Sequence, residues 1–418
     1  MKITHLNFSS SSGGAADAAR KIHLSLLRAG IQSKLLVGRS QSKDGKNIIT
    51  QIKPHIFQEI YQKIFSFLER KSIEKIKNKN LFGKISLAKF GVLDFGKYIS
   101  ESDIIHLHWI NNGFLSLNTL NKINKSIVWT LHDMWPITGV CHYSMECNRF
   151  KEGCGFCPYI KDEEEFDLSR STFERKKQIF KKKQMIFVAT SSWMYEVALK
   201  SPLTIGHKVV EIPLSIDREI FKVDEEINKR KILKDYGIDI FDKQKILLYG
   251  AMNATTDLRK GFELLKKALL NINEPDKNKY ILLVFGDNIN LKFVSGVRVI
   301  SLGLIKNKKE ISNLYNCSDL FLMPSIQEAF GLTTLEAINC GLPVVAYKGT
   351  GAEGIISHKS NGYLAENGDS EDFFNGISYL MKNNIRRKTL PLDSKFNENI
   401  ITLAYKKLYE ELMPNKLT

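Results

Sequence analysis

The sequence predicts an α/β protein built from two doubly wound parallel sheets, and three observations lead there. Residues 2–8 alternate in a strand-forming run, a small glycine-containing turn follows at 9–14, and Ala19, Ile22, Leu26 and Ala29 line one face of a helix over 15–29. Gly30 stops that helix and 33–37 is the next strand, so the chain opens on a right-handed βαβ unit. The same rhythm restarts beyond 211–223, and 418 residues exceed what one hydrophobic core usually supports.

Further short apolar strands at 104–109, 127–131 and 185–189 complete the first series. In the second, strands at 245–249, 280–285, 320–323 and 343–347 alternate with helices at 261–270, 308–315 and 332–339. The expectation is two Rossmann-like domains facing across a cleft, 1–212 and 213–397. The amphipathic stretch 398–412 reads as a helix, with 398–418 packing back on the first domain. Residues 53–98 break the pattern. Ile56, Phe57, Ile60, Ile64, Phe65 and Leu68 form an apolar stripe, while ten Lys and Arg residues face only four acidic ones. This basic amphipathic insertion is either a helix on an anionic bilayer surface or a solvated helix packed on its own domain.

Composition narrows the function classes. Forty-three per cent apolar and 10% aromatic residues exclude a disordered chain. A formal net charge of +16 suits nucleic acid, an anionic membrane or a polyanionic substrate, and also a plain Lys-rich bias. Nucleic acid is set aside, because no recognition motif or aromatic–basic interleaving accompanies the charge. No run of about 18 uncharged apolar residues occurs, and the N-terminus enters a strand directly. A cytoplasmic protein with at most peripheral contact at the inner face of the membrane is expected.

The chemistry concentrates in residues 324–337, Pro-Ser-Ile-Gln-Glu-Ala-Phe-Gly-Leu-Thr-Thr-Leu-Glu-Ala. Glu328 falls in a loop at the carboxyl end of a strand, where open α/β sheets bind ligands. Phe330 and Gly331 open a helix; the glycine allows close backbone approach, and the amides of Leu332 and Thr333 can hold a diphosphate at the helix tip. Glu336, over one turn further on, can accept two hydrogen bonds from the paired hydroxyls of a ribose. Two glutamates eight apart are common by themselves; the flanking Pro-Ser, Phe-Gly-Leu and Cys340–Ala346 run make the pattern specific.

This segment resembles the donor-site motif of the family-4 retaining glycosyltransferases, whose two-Rossmann-domain fold is called GT-B. The resemblance extends through 301–305, 314–319, 349–351 and 361–364. It implies that Glu328 lies beside the donor hexose, that Glu336 binds the ribose and that Leu304 lines the nucleobase pocket. At a second station, Tyr249-Gly250-Ala251 and Arg259-Lys260-Gly261-Phe262, the family carries Gly-Arg and then Lys-Gly, with both cations on the diphosphate. Lys260 fits; Ala251 stands where Arg is expected. Arg259 adjoins the lysine and is a candidate to compensate, although neighbouring side chains point in different directions. Fixed cations there stabilise a departing nucleotide diphosphate without a metal. The Gly13-Gly14 loop resembles the family's glycine loop, and His132 its donor-sugar histidine, with Asp133 left to orient the ring or bind acceptor hydroxyls.

The run from Cys141-His142-Tyr143 through Cys147 to Cys154-Gly155-Phe156-Cys157 resembles a subgroup of bacterial exopolysaccharide and O-antigen transferases, including colanic-acid enzymes. Four such cysteines suit a structural zinc site, reduced or occasionally paired thiols, or other chemistry, and the five-residue gap of the first pair departs from tight zinc-knuckle spacing. The residues and the resemblance together imply transfer of a sugar from a nucleotide-diphosphate donor to a glycan or lipid-linked acceptor. Retention of configuration and bacterial surface polysaccharide biosynthesis follow from the resemblance, with no cofactor required for catalysis. Glu328 and His132 are the candidate catalytic residues. The alternatives are a nucleotide-sugar epimerase or phosphorylase on the same fold, and a non-catalytic glycan-binding protein.

Overall fold

A computed structural model describes residues 1–11, 13–39, 49–51, 60, 64, 85–91, 96–161, 163–241, 244–288, 290–383, 385 and 393–413. The chain divides into two compact units, Met1–Ser215 with Asn397–Thr418, and Ile216–Phe396.

The first unit contains a seven-stranded sheet of β1 (Lys2–Ser9), β2 (Gln32–Arg39), β3 (Ile49–Gln51), β4 (Ile104–Leu107), β5 (Ser126–Leu131), β6 (Met185–Ala189) and β7 (Lys208–Glu211), in the order β3-β2-β1-β4-β5-β6-β7. Every pairing in it is parallel. Parallel neighbours need a crossover, and the Gly14–Arg28 helix supplies the first, burying Ala18, Ala19, Ile22 and Leu26. Winding reverses between β1 and β4, so a crevice opens beyond the carboxyl ends of those two strands.

The second unit repeats the plan with β8 (Lys245–Gly250), β9 (Tyr280–Phe285), β10 (Phe293–Val294), β11 (Val297–Gly303), β12 (Leu320–Met323), β13 (Val344–Tyr347) and β14 (Gly362–Ala365). Their order is β10-β11-β9-β8-β12-β13-β14, and only the short β10 runs antiparallel to its neighbour. Strands covered on both faces read as continuous apolar runs, as in Tyr-Ile-Leu-Leu-Val-Phe of β9. Here winding reverses between β8 and β12. Both units are Rossmann-like.

The Glu398–Leu412 helix belongs to the first unit. Ile401, Tyr405, Leu408, Tyr409 and Leu412 pack in one cluster with Ile3, Ile22, Leu26, Ile104 and Val128. Most of the basic stretch 53–98 lies outside the described residues; of its apolar stripe Ile60 and Ile64 are described, both exposed. Within it, residues 85–91 form no helix; Ile85 bridges to Cys141, Ala88 is left-handed at φ 45°, and Ile85 and Leu87 pack against Val140 and Cys141. Among the described residues no helix is long and apolar enough to cross a membrane.

Leu408 is 4% exposed in the cluster that joins the last helix to the first sheet. Leu408→Ala is expected to destabilise the first unit by about 2–4 kcal/mol, measured by denaturant unfolding, because it removes buried methyl groups and leaves a cavity.

Candidate functional site

The strongest cluster stands at the switch point of the second sheet. The loop after β12 carries Glu328, and the loop after β8 ends in a short 3₁₀ turn, Leu258–Lys260, that carries two cations. Lys260 Nζ donates to Glu328 Oε2 at 2.6 Å, and Arg259 Nη1 reaches the same oxygen at 3.2 Å. Neighbouring side chains were expected to diverge; instead the tight turn brings both onto one carboxylate. Arg259 also donates to Gln327 O at 2.9 Å and to Asp257 Oδ2 at 3.1 Å. Burial would raise the Glu328 carboxyl, but Lys260 and then Arg259 outweigh it and hold the group at about 2. Burial and then Arg259 pull the Lys260 ammonium down, against the pull of Glu328.

The backbone locks these loops together. Ile326 N–H donates to Arg259 O at 2.9 Å, and Tyr249 Oη donates to Lys260 O at 3.2 Å. Gly261 has φ +69°, and a Cβ there would lie 1.8 Å from Pro324 O, so no side chain fits. Ala251, at the end of β8, stands where the family's arginine was expected and offers no charge. The adjacent cations, Arg259 and Lys260, are the ones the structure brings to Glu328.

Gly331 caps the Leu332–Asn339 helix in a left-handed conformation without a side-chain cap. The amides of Leu332 and Thr333 have no hydrogen-bond partner among the described residues, while Thr334 and Leu335 bond back to Gly331 O. This is a helix tip with open donors. Phe330 is buried against Phe396. Glu336 is 7% exposed and accepts from Tyr315 Oη at 3.2 Å. Leu304 follows β11 and is exposed.

In the first unit, Gly13 caps the first helix at φ 87°, and its carbonyl accepts from Ala16 and Asp17; Gly14 begins the helix. His132 follows β5, partly buried, and its Nε2 lies 3.0 Å from His108 Nδ1. Burial lowers its imidazole to about 4, against Asp133. Asp133 is directed elsewhere: it accepts from Trp109 Nε1 (2.9 Å), from Trp135 N (2.8 Å), and pairs with His142 Nδ1 (2.6 Å).

Cys141, Cys147, Cys154 and Cys157 line one cavity of about 20 Å³. Gly139 N–H donates to Cys154 Sγ at 3.2 Å. Among the described residues, the group with three ligand atoms within 4.8 Å of one another is His5, His106 and His108, so the sulfurs stand wider than a metal set. Burial raises all three of Cys141, Cys154 and Cys157, the last two to about 12 and about 11. Beside them Lys176 is fully buried, its Nζ donating to Trp135 O, Thr138 O and Gly139 O at 2.6, 3.0 and 3.1 Å.

Sequence reasoning missed Lys176, Tyr315 and the histidines His5, His106 and His108. The His-Leu-His alternation at 106–108 was a usable signal, since alternate residues of a strand share a face. Lys176 gave none, because it sits in an ordinary basic helix pattern.

The ion cluster makes stability depend on pH in one window. The folded Glu328 carboxyl is at about 2 and its ordinary value is 4.5. A lowered carboxyl stabilises fully above the ordinary value, and that contribution disappears as pH falls toward the folded one. Glu328→Gln is therefore expected to cost on the order of 2–3 kcal/mol at pH 7. In urea titrations the gap to the wild type should shrink between about pH 4.5 and 2.

Residues 238–401 match the family described as glycosyl transferases group 1. WcaC of Escherichia coli strain K12, named a colanic acid biosynthesis glycosyl transferase, is 23% identical over 381 residues, 87% of this chain and 86% of its own. A Campylobacter jejuni enzyme, named N,N'-diacetylbacillosaminyl-diphospho-undecaprenol alpha-1,3-N-acetylgalactosaminyltransferase, is 29% identical over 56% of this chain and 61% of its own. Among solved structures, Anabaena HepE in complex with UDP-glucose has a TM-score of 0.66 at 15% identity, over 99% of this chain and all of its own. Sucrose-phosphate synthase from Thermosynechococcus elongatus has a TM-score of 0.68 at 18% identity, over 99% of each chain. The fold is thus that of the GT-B glycosyltransferases, and residues 238–401 resemble the glycosyl transferases group 1 family, with a relative named for colanic acid biosynthesis.

Proposed function

We propose that the chain is a family-4 retaining hexosyltransferase that moves a sugar from a nucleotide-diphosphate donor to a glycan or lipid-linked acceptor in surface polysaccharide synthesis. The observation behind this reading is the meeting of Lys260, Arg259 and Glu328 at the second unit's switch point, in a unit whose helix tip leaves the Leu332 and Thr333 amides open. Open amides and fixed cations suit a pyrophosphate, and the cations stabilise the charge that grows as the nucleotide departs. A relative solved with UDP-glucose and a relative named for an undecaprenol-linked acceptor support the donor and acceptor classes. The +16 charge suits work beside an anionic membrane.

We also assign one structural zinc to Cys141, Cys147, Cys154 and Cys157. The support is their shared cavity and the left-handed run Gly153, Cys154, Gly155, Phe156, with φ of 97, 64, 89 and 45°, which wraps the Cys-x-x-Cys turn. Rotation about the Cα–Cβ bonds would have to close the sulfurs to roughly 3.8 Å, the spacing that follows from tetrahedral zinc–sulfur bonds of about 2.3 Å. The ion would pin this loop.

Two measurements test these readings. A nucleotide sugar at 100-fold over its Kd should stabilise the chain by about 2.7 kcal/mol, read as a thermal shift. Lys260→Ala and Glu328→Ala should lose most of that shift and of acceptor-dependent nucleotide release; full transfer by either variant sinks the assignment. Metal analysis should find about one zinc per chain, lost in a Cys154→Ser/Cys157→Ser variant together with thermal stability. A zinc-free, fully stable wild type ends the zinc assignment.

A further inference from the structure

Behind His132 stands a line of buried imidazoles from three adjacent strands. His5 lies on β1 and is the register partner of His106 on β4; His108 follows β4 and His132 follows β5. His5 Nδ1 is 3.0 Å from His108 Nε2, and His108 Nδ1 is 3.0 Å from His132 Nε2. The rings of His108 and His132 stack at 5.2 Å, and those of His5 and His108 at 5.3 Å. His106 is a side branch, bonded to Tyr409 Oη at 2.7 Å and Thr130 Oγ1 at 2.8 Å. One ring nitrogen from each of His5, His106 and His108 lies within 4.8 Å of the other two, but all except one of the six nitrogens already have a hydrogen-bond partner, which argues against a metal. The exception is His5 Nε2, buried with no hydrogen-bond partner among the described residues.

Proton counting then orients the line. Burial first, and neighbouring histidines second, keep His5 and His108 neutral, and burial does the same for His132. Three neutral imidazoles hold three N–H protons, and the two hydrogen bonds between them take one each. The third proton must sit at an end, on His5 Nε2 or on His132 Nδ1. The inner end is buried and has no acceptor among the described residues, and buried N–H groups left without a partner are rare in proteins. The outer end belongs to a partly buried ring and can meet water or a ligand.

We propose that this three-histidine line fixes His132 as a neutral Nδ1–H donor. His132 then offers a hydrogen bond to an oxygen of the sugar donor and does not serve as a general base. His108 and His5 act as positioning residues, each donating from Nδ1 toward the next ring. The choice of ligand rests on the transferase reading; the tautomer does not.

Nitrogen-15 spectra of histidine-labelled full-length protein at pH 7 test it, with resonances assigned through His132→Gln and His108→Gln. The expected result is a neutral Nδ1–H tautomer for His132, His108 and His5. An Nε2–H tautomer or an imidazolium at His132 overturns the proposal, and this wild-type measurement does not depend on a variant that folds. In His108→Phe, His132 should shift toward Nε2–H, and kcat for donor turnover should fall about tenfold or more with KM nearly unchanged. A His108→Phe protein with unaltered His132 signals counts against the relay. A wild type that turns over no nucleotide sugar, yet shows the Nδ1–H line, sinks the transferase reading and leaves the relay standing.

Discussion

The second unit is organised around a single carboxylate that two adjacent cations share. Arg259 and Lys260 are consecutive, partly buried and of like charge, and would repel one another were Glu328 not between them. Because the carboxylate and the cations come from loops at opposite sides of the switch point, the ion cluster also sets the spacing of those loops. The glycines around it follow from that spacing. Gly261 has Pro324 O where a side chain would be, and Gly351, whose Cβ would meet Ala329 O at 2.4 Å, donates its amide to Glu328 O at 2.7 Å. Asp257 completes the arrangement by accepting from Arg259, so two cations and two anions balance locally.

The two-sheet plan was legible because the inner strands are unbroken apolar runs and the first helix has a clean stripe. Some of what escaped notice was short or interrupted. β7 and β14 have four residues each, and the Ser370–Lys382 helix contains Gly376. That glycine looks like a helix breaker, yet Tyr363 occupies the space where its side chain would stand. Glu328 was singled out by its place after a strand and by the resemblance, Lys260 by the resemblance alone, and the structure adds that the two meet. The aim of Arg259 was not readable, since it depends on a 3₁₀ turn in which successive side chains are separated by 120° and the loop is folded back by an ion pair. Asp133 was read as orienting His132 or binding acceptor hydroxyls; its hydrogen bonds to Trp109 and His142 join residues that no local pattern links.

The interior of the first sheet is polar in a way that its sequence hides. His5, His106, Thr130, Tyr405 and Tyr409 come from three strands and the last helix, and are all buried. Thr130 Oγ1 pairs with Tyr405 Oη at 3.1 Å, which extends the network from the strands to the helix. A buried polar network rigidifies when satisfied and is costly when broken, so the last helix does more than cover apolar surface. Its tyrosines hold the side branch of the histidine line in place.

That helix also imposes an order of events on synthesis. The first unit takes strands from residues before 215 and a core-forming helix from residues after 397, with the whole second unit encoded between them. On a ribosome the β1–β7 sheet emerges first but lacks Ile401, Tyr405 and Leu408, and the part of its apolar face that they cover stays open while 181 further residues, Ile216–Phe396, are translated. The later-encoded unit has every segment it needs as soon as it emerges and can finish folding before the earlier one. The interval between them is when the nascent chain is most open to aggregation or to a chaperone.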